Sequence, residues 1–231
     1  VSDKGYKGVV IQLWKNVSEI EVSGQVIRAK AGALLSKIAA VALDHSLAGF
    51  AFASGIPGTL GGAVVMNAGA YGGEMKDVLE EVTVMDAEGS VICLKREELN
   101  LGYRTSIVKE KGYIVLEAVL RLDKGEASHI KEQMDDFKER RTSKQPLDMP
   151  SAGSTFKRPE GYFAGKLIMD TGLRGFQVGG AQISEKHCGF VVNTGDATAE
   201  DVKNLIEEVQ RRVREKFGVT LEPEVKFLGE F

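Results

Sequence analysis

Apolar and polar residues alternate with a period of two over residues 9–13 and 26–30, which predicts two strands near the start of the chain. The period then lengthens. Ala33, Leu34, Ile38, Val41 and Ala42 recur at helical spacing, so residues 31–47 predict a helix. Residues 82–86 and 91–94 flank Ala87-Glu88-Gly89-Ser90, the pattern of a hairpin closed by a glycine-bearing turn. A further long strand is expected over residues 113–122.

The pattern changes near Asp123. Ile130, Met134 and Phe137 mark one face of a helix over about residues 128–141, and Pro146 and Pro150 fall in the loop that follows. A second hairpin is expected over residues 181–194, turning at Glu185-Lys186-His187-Cys188. The last helix carries the strongest signals. Thr198 can cap it, and Asp201 stands three residues on, an aspartate version of the capping box. Val202, Leu205, Ile206, Val209, Val213 and Phe217 form a buried stripe, and Gly218 suits the position just past the end. A short strand over residues 224–228 would close the chain. The whole reads as α+β, with a mostly β part over residues 1–122 and a smaller α+β part over residues 123–231.

Composition narrows the function. At 231 residues, 43% hydrophobic and 27% charged, the chain can build a core without metal or disulfide staples. The net charge of -3 and the lack of a basic stripe argue against nucleic acid. No apolar run approaches the ~18 residues that a membrane helix needs, and Val1 to Tyr6 does not read as a signal peptide. Cys93 and Cys188 lack metal-like spacing and are expected to stay reduced in a cytoplasm; His45, His129 and His187 are scattered, so no metal site is expected.

Glycine is in excess, 27 of 231, against a norm of ~7%. The excess clusters in GIPGTLGGAVVMNAGAYGGE, residues 55–74. Backbone without side chains can bring its N–H groups directly against phosphate oxygens. The run is neither a Walker A loop nor a G-x-G-x-x-G in a βαβ unit. Its spacing is open to two readings, tight turns between short strands or backbone that touches a ligand.

This run resembles the UDP-N-acetylenolpyruvoylglucosamine reductase family, flavoenzymes of bacterial cell-wall synthesis. LGYRTS (residues 101–106), SAGSTFKRP (151–159), AGKLI (164–168), GGAQIS (179–184) and GVTLEPEVKFLG (218–229) agree with it in the family's order. The resemblance implies a vanillyl-alcohol-oxidase-like FAD-binding domain over residues 1–122, followed by a smaller substrate-binding domain over residues 123–231. It implies FAD as cofactor, NADPH as reductant and UDP-N-acetylglucosamine enolpyruvate as substrate, reduced to UDP-N-acetylmuramate. The short connection between Arg104 and Ser154 is similar to the shorter type of the family. Val1 to Tyr6 resembles the stretch just after a Gly-Ser-Asn-rich loop, so one wall of the flavin site is expected outside this sequence. An alternative is a nucleotide-sugar binding module without flavin.

Reducing an enol ether conjugated to a carboxylate needs a hydride at the β-carbon, stabilisation of the charge that develops, and a proton at the α-carbon. Flavin carries the hydride. The resemblance implies Ser154 as the proton donor, Glu224 as stabiliser of the enolic intermediate and Arg104 as the third active-site residue. A guanidinium suits bidentate pairing with a carboxylate. Strand alternation would put Glu222 on the same face as Glu224, and two near carboxylates can have their pKa values driven apart. Gly55, Ile56, Pro57, Gly58, Thr59, Gly61, Gly62, Ala63, Asn67, Gly69 and Arg141 are implied at the cofactor. Tyr103, Lys144 and Lys226 are implied at the substrate. Arg158 stands where some relatives carry a smaller polar residue.

Overall fold

The computed structural model describes all residues, Val1–Phe231, and the chain divides into two compact units. One is Ile11–Arg140; the other joins Val1–Val10 to Arg141–Phe231. The division therefore falls after Arg140 and not near residue 122. The reason is the helix Ala127–Lys144: its Met134 and Phe137 pack against the core of the first unit, and Phe137 stacks on Tyr71 with ring centroids 4.6 Å apart.

The first unit is built on a five-stranded antiparallel sheet in the order Ile20–Ser23, Val26–Lys30, Ile114–Arg121, Leu79–Met85, Val91–Lys95. Buried residues face one another across it: Ile27 opposite Leu120, and Ala29 and Val82 opposite Ala118. The other face is charged, with Glu117 between Arg28 and Lys30, and Lys95 on Glu81. Burial pushes the Glu117 carboxyl up, but its bonds to Lys30 and Arg28 outweigh this and hold it below the ordinary value. Helix Leu35–Asp44 adds Leu35, Ile38, Ala39 and Ala42 to the core, spaced as one helical face requires.

That helix starts at Leu35 and not at Ala31, because the preceding backbone is already engaged. The carbonyls of Ala31 and Ala33 accept from the N–H groups of Gly61 and Leu60, both at 2.8 Å. The expected strand over residues 9–13 does not form, and Val9, Val10 and Ile11 are 86%, 73% and 80% exposed. Alternation makes a strand only where a partner edge offers hydrogen bonds, and these residues join no sheet.

The second unit has a four-stranded antiparallel sheet in the order Ser151–Ser154, Phe190–Asn193, Ala181–Ile183, Gln177–Val178. The expected hairpin of residues 181–194 is its centre. Helix Ala199–Phe217 buries Leu205, Ile206, Val209 and Val213 against it, while Phe217 lies at the rim. Its N-terminal donors are satisfied in turn. Thr198 and Asp201 form the capping box, and the Asp3 carboxylate accepts from Ala199 and Glu200 at 2.9 and 3.2 Å. Gly218 ends the helix in the left-handed conformation at φ +70°. Residues 224–228 are not a strand; pairing is confined to one bridge between Phe156 and Pro223. No helix is long and apolar enough to cross a membrane.

Candidate functional site

The glycine segment is not a continuous loop. It contains the short helix Leu60–Val65 and a tight hairpin, Gly69–Ala70 with Gly73–Glu74. Tyr71 and Gly72 both have positive φ, 54° and 91°, as the two-residue hairpin turn demands. Several glycines serve packing. A Cβ on Gly61 would lie 3.1 Å from Ala31 Cβ, one on Gly69 2.7 Å from Glu74 Cγ, and one on Gly73 2.7 Å from the Phe52 ring. The Gly61 N–H is spent on Ala31. Ala63 is buried, and Ile56 packs against the core. The open part of the segment is Gly55, Pro57, Gly58 and Gly62, all exposed, with Thr59 half-exposed beside them. Nothing stands within 4 Å of where a Cβ on Gly58 would be, and its φ of +152° suits glycine.

Asn67 is buried and follows the short helix in the left-handed conformation, φ +41°. Its amide nitrogen donates to Glu74 Oε2 at 2.8 Å and to the Gly102 carbonyl at 3.1 Å, and its Oδ1 accepts from the Lys76 N–H at 2.9 Å. Gly102 exchanges two backbone hydrogen bonds with Thr105, which makes Tyr103 and Arg104 the two central residues of a tight turn. Arg104 takes φ +56°, as the second central residue of a type II turn does. Its guanidinium carbon lies 5.2 Å from the Tyr103 ring centroid, and its carbonyl accepts from Lys109 Nζ at 2.9 Å. Tyr103 is exposed.

In the second unit, Ser154 ends the edge strand Ser151–Ser154 and pairs with Phe190. Its exposed hydroxyl makes a long contact of 3.5 Å to the Phe156 carbonyl. The next residue fixes it. Thr155 is buried, donates from its N–H to the Gly189 carbonyl at 2.8 Å, and accepts on its hydroxyl from the Val191 N–H at 3.1 Å. The Thr155 carbonyl accepts from the Glu224 N–H at 2.8 Å, and Lys157 N–H donates to the Glu222 carbonyl at 2.8 Å. Pro223, which has no N–H, sits opposite Phe156 at the position where none is needed. Ser154 and Glu224 thus belong to facing backbone segments. The Lys157 ammonium pairs with the Glu222 carboxylate.

His187 was not singled out by the sequence, and it lies near Ser154. The point a Cβ on Gly189 would occupy is 2.9 Å from His187 Cε1 and 3.8 Å from Ser154 Oγ. The Gly189 N–H donates to His187 Nδ1 at 3.0 Å, which leaves the proton of the neutral ring on Nε2. Burial beside Phe190 lowers the imidazole pKa below its ordinary value. His187 lies in no motif, and only the fold reveals it; Thr155 and Lys157 lie in the SAGSTFKRP run, but only their contacts with Gly189, Val191 and Glu222 show what they do.

Arg141 and Lys144 lie in the last turn of the helix Ala127–Lys144, Arg141 half-buried and Lys144 exposed. Lys226 is exposed in the C-terminal segment. Arg158 lies over the Phe163 ring, 4.0 Å from its centroid. Tyr103, Arg104 and the glycine segment belong to the first unit; Ser154, Glu224, Arg141, Lys144 and Lys226 belong to the second.

Comparison with known proteins adds an independent view. A family model described as UDP-N-acetylenolpyruvoylglucosamine reductase, C-terminal domain, matches residues 145–228, and one described as FAD binding domain matches residues 1–95. The chain is 59% identical over 243 residues to the UDP-N-acetylenolpyruvoylglucosamine reductase of Agathobacter rectalis, covering 100% of this chain and 77% of that one. It is 58% identical over 230 residues to the enzyme of the same name from Caldanaerobacter subterraneus, covering 100% and 76%. Its structure is similar to the crystal structure of UDP-N-acetylenolpyruvylglucosamine reductase from Thermus caldophilus. The TM-score is 0.80 at 38% identity, over 93% of this chain and 76% of that one.

Proposed function

The chain belongs to the UDP-N-acetylenolpyruvoylglucosamine reductase family, and from that premise we propose how its residues divide the work of the reaction. It is an FAD-dependent NADPH oxidoreductase that reduces UDP-N-acetylglucosamine enolpyruvate to UDP-N-acetylmuramate in peptidoglycan precursor synthesis. The residues present fit FAD. Gly55, Pro57, Gly58 and Gly62 offer exposed backbone, with open space in front of Gly58. These residues, with Thr59, would hold the cofactor, and Arg141 would add a positive charge to it. When bound and reduced by NADPH, FAD supplies the hydride.

The protein's own residues then act on the enolpyruvyl ether. Ser154 Oγ gives its proton to the α-carbon after the β-carbon has gained hydride, so the double bond is lost and the ether oxygen keeps its bonds. Glu224 stabilises the enolic species that precedes protonation. Arg104 pairs with the substrate carboxylate, where charge accumulates. Tyr103, Lys144 and Lys226 bind the remainder of the substrate, Lys226 as a point charge without bidentate geometry. The bond from the Glu224 N–H to the Thr155 carbonyl carries this reading, because it ties the segment of the acid residue to that of the carboxylate. The water-soluble, charged nucleotide sugar and NADPH set the reaction in the cytoplasm, where its product feeds wall growth and hence cell shape and division.

The test is NADPH oxidation by the FAD-loaded protein, followed by absorbance. Oxidation that depends on UDP-N-acetylglucosamine enolpyruvate is expected. Loaded protein that oxidises NADPH at the same rate with and without that substrate would overturn the reading.

A further inference from the structure

We infer that Asn67 is a positioning residue, which clamps the glycine segment to the Tyr103–Arg104 turn and so fixes the guanidinium of Arg104. The inference rests on the role proposed above for Arg104. It moves Asn67 from the cofactor to the scaffold, because its side chain is consumed inside the protein.

Three observations carry it. First, Asn67 closes the helix Leu60–Val65. Its N–H donates to the Val64 carbonyl at 3.1 Å, and the Ala68 N–H reaches back to the Ala63 carbonyl at 2.8 Å, the paired bonds of a Schellman ending. Such an ending needs a left-handed residue, which asparagine tolerates better than other side chains. Second, the buried side chain uses both of its ends. The amide N–H groups bind Glu74 and the Gly102 carbonyl, and Oδ1 binds the Lys76 N–H. Third, the far shoulder of the turn is tied to the same helix. Ser106, fully buried, donates from its hydroxyl to the Val65 carbonyl at 2.8 Å. Residues 102 and 106 are therefore both anchored to residues 65–67, and Arg104 sits on the span between them.

A buried donor facing an acceptor is costly to remove, and replacing it with a second acceptor costs more. Asn67→Asp keeps shape and backbone but turns an oxygen toward Glu74 Oε2 and the Gly102 carbonyl. Lys76, whose Nζ lies 3.1 Å from Glu74 Oε2, stands at the same carboxylate. Adding Glu74→Gln restores a donor to the first contact.

The experiment is amide hydrogen exchange by mass spectrometry on wild-type protein, Asn67→Asp, and Asn67→Asp with Glu74→Gln, each with and without FAD. Exchange over residues 102–106 is expected to rise about tenfold or more in Asn67→Asp and to fall back in the double variant, with the strand Ile114–Arg121 unchanged. Stopped-flow assay should show slower sugar reduction with flavin reduction by NADPH retained. Unchanged exchange over residues 102–106 with weakened FAD binding would overturn the inference, and so would a uniform rise across the five-stranded sheet. A loosened turn with undiminished sugar reduction would uphold the clamp and overturn the role of Arg104 instead.

Discussion

The Glu224 N–H donates to the Thr155 carbonyl at 2.8 Å, one residue beyond Ser154. Thr155 is held in turn by Gly189 and Val191, so the hydroxyl of Ser154 and the carboxylate of Glu224 are both borne on backbone that cannot shift alone. Rigid placement of this kind is what the proton-donor role proposed for Ser154 requires.

Removing the Ser154 hydroxyl tests its part directly. Ser154→Ala alters an exposed position at a strand end, so the fold should tolerate it. General acid catalysis contributes about 10²–10⁴-fold, and a loss of that order is expected in the sugar half-reaction. Flavin reduction by NADPH should stay near wild type. Stopped-flow traces with both half-reactions intact would end the assignment.

The two glutamates of Leu221-Glu222-Pro223-Glu224 should behave differently. Glu222 is exposed and already paired with Lys157. Glu222→Gln should cost about 0.2–1 kcal/mol of stability and little activity, as exposed ion pairs do. Glu224→Gln should spare flavin reduction and slow sugar reduction. Equal losses in both half-reactions for Glu224→Gln would point to folding or ligand binding instead.

Those pairings mark the limit of what the sequence reveals. The cap at Thr198, its partner Asp201 and the ending at Gly218 are local, and spacing alone finds them. The helix start at Leu35 is not local, since Gly61 and Leu60 take the carbonyls that precede it. Residues 9–13 show the converse: alternation is present, but it makes no strand without a partner. The glycines of residues 55–73 were visible as a group, yet only contacts separate Gly61, which lies against Ala31, from Gly58, which is open. Ser154 and Lys157 lie in one family motif and Glu224 in another; the pairing of Lys157 with Glu222 and the nearness of His187 to Ser154 arise only where distant segments meet.

The cap of the long C-terminal helix predicts a stability effect apart from catalysis. Thr198 accepts from the Asp201 N–H at 3.0 Å, and Asp201 accepts from the N–H groups of Thr198 and Gly180 at 3.0 and 3.2 Å. Thr198→Ala should lower unfolding free energy by about 0.5–2 kcal/mol, measurable by urea denaturation. Bonds from Thr198 and then Gly180 hold the Asp201 carboxyl below its ordinary value. Its stabilisation is therefore present above the unfolded pKa and lost as pH falls through the folded one. Asp201→Asn should flatten the stability profile in that acid range, and an unchanged profile would show that these bonds do not set it.

His187 predicts a second pH dependence, in a milder range. Its ring is half-buried against Phe190 and accepts the Gly189 N–H, and burial lowers its pKa from the ordinary value. As pH falls below the histidine value of about 6.5, the unfolded chain takes up a proton that the folded one refuses. Stability is then full above the unfolded pKa and declines as pH falls toward the folded one. His187→Gln can keep an oxygen toward the Gly189 N–H while removing the titration. The melting temperature of wild-type protein should therefore drop more steeply than that of His187→Gln between about pH 6.5 and 5. Catalysis should respond at the same group. A proton taken up at Nδ1 would break the Gly189 bond and place a cation near Ser154, so sugar reduction should weaken only as pH falls on toward the lowered folded pKa, in wild type more than in the variant. Parallel profiles for the two proteins, in melting and in rate, would show that the ring titrates as it does in water and takes no part in setting the Ser154 environment.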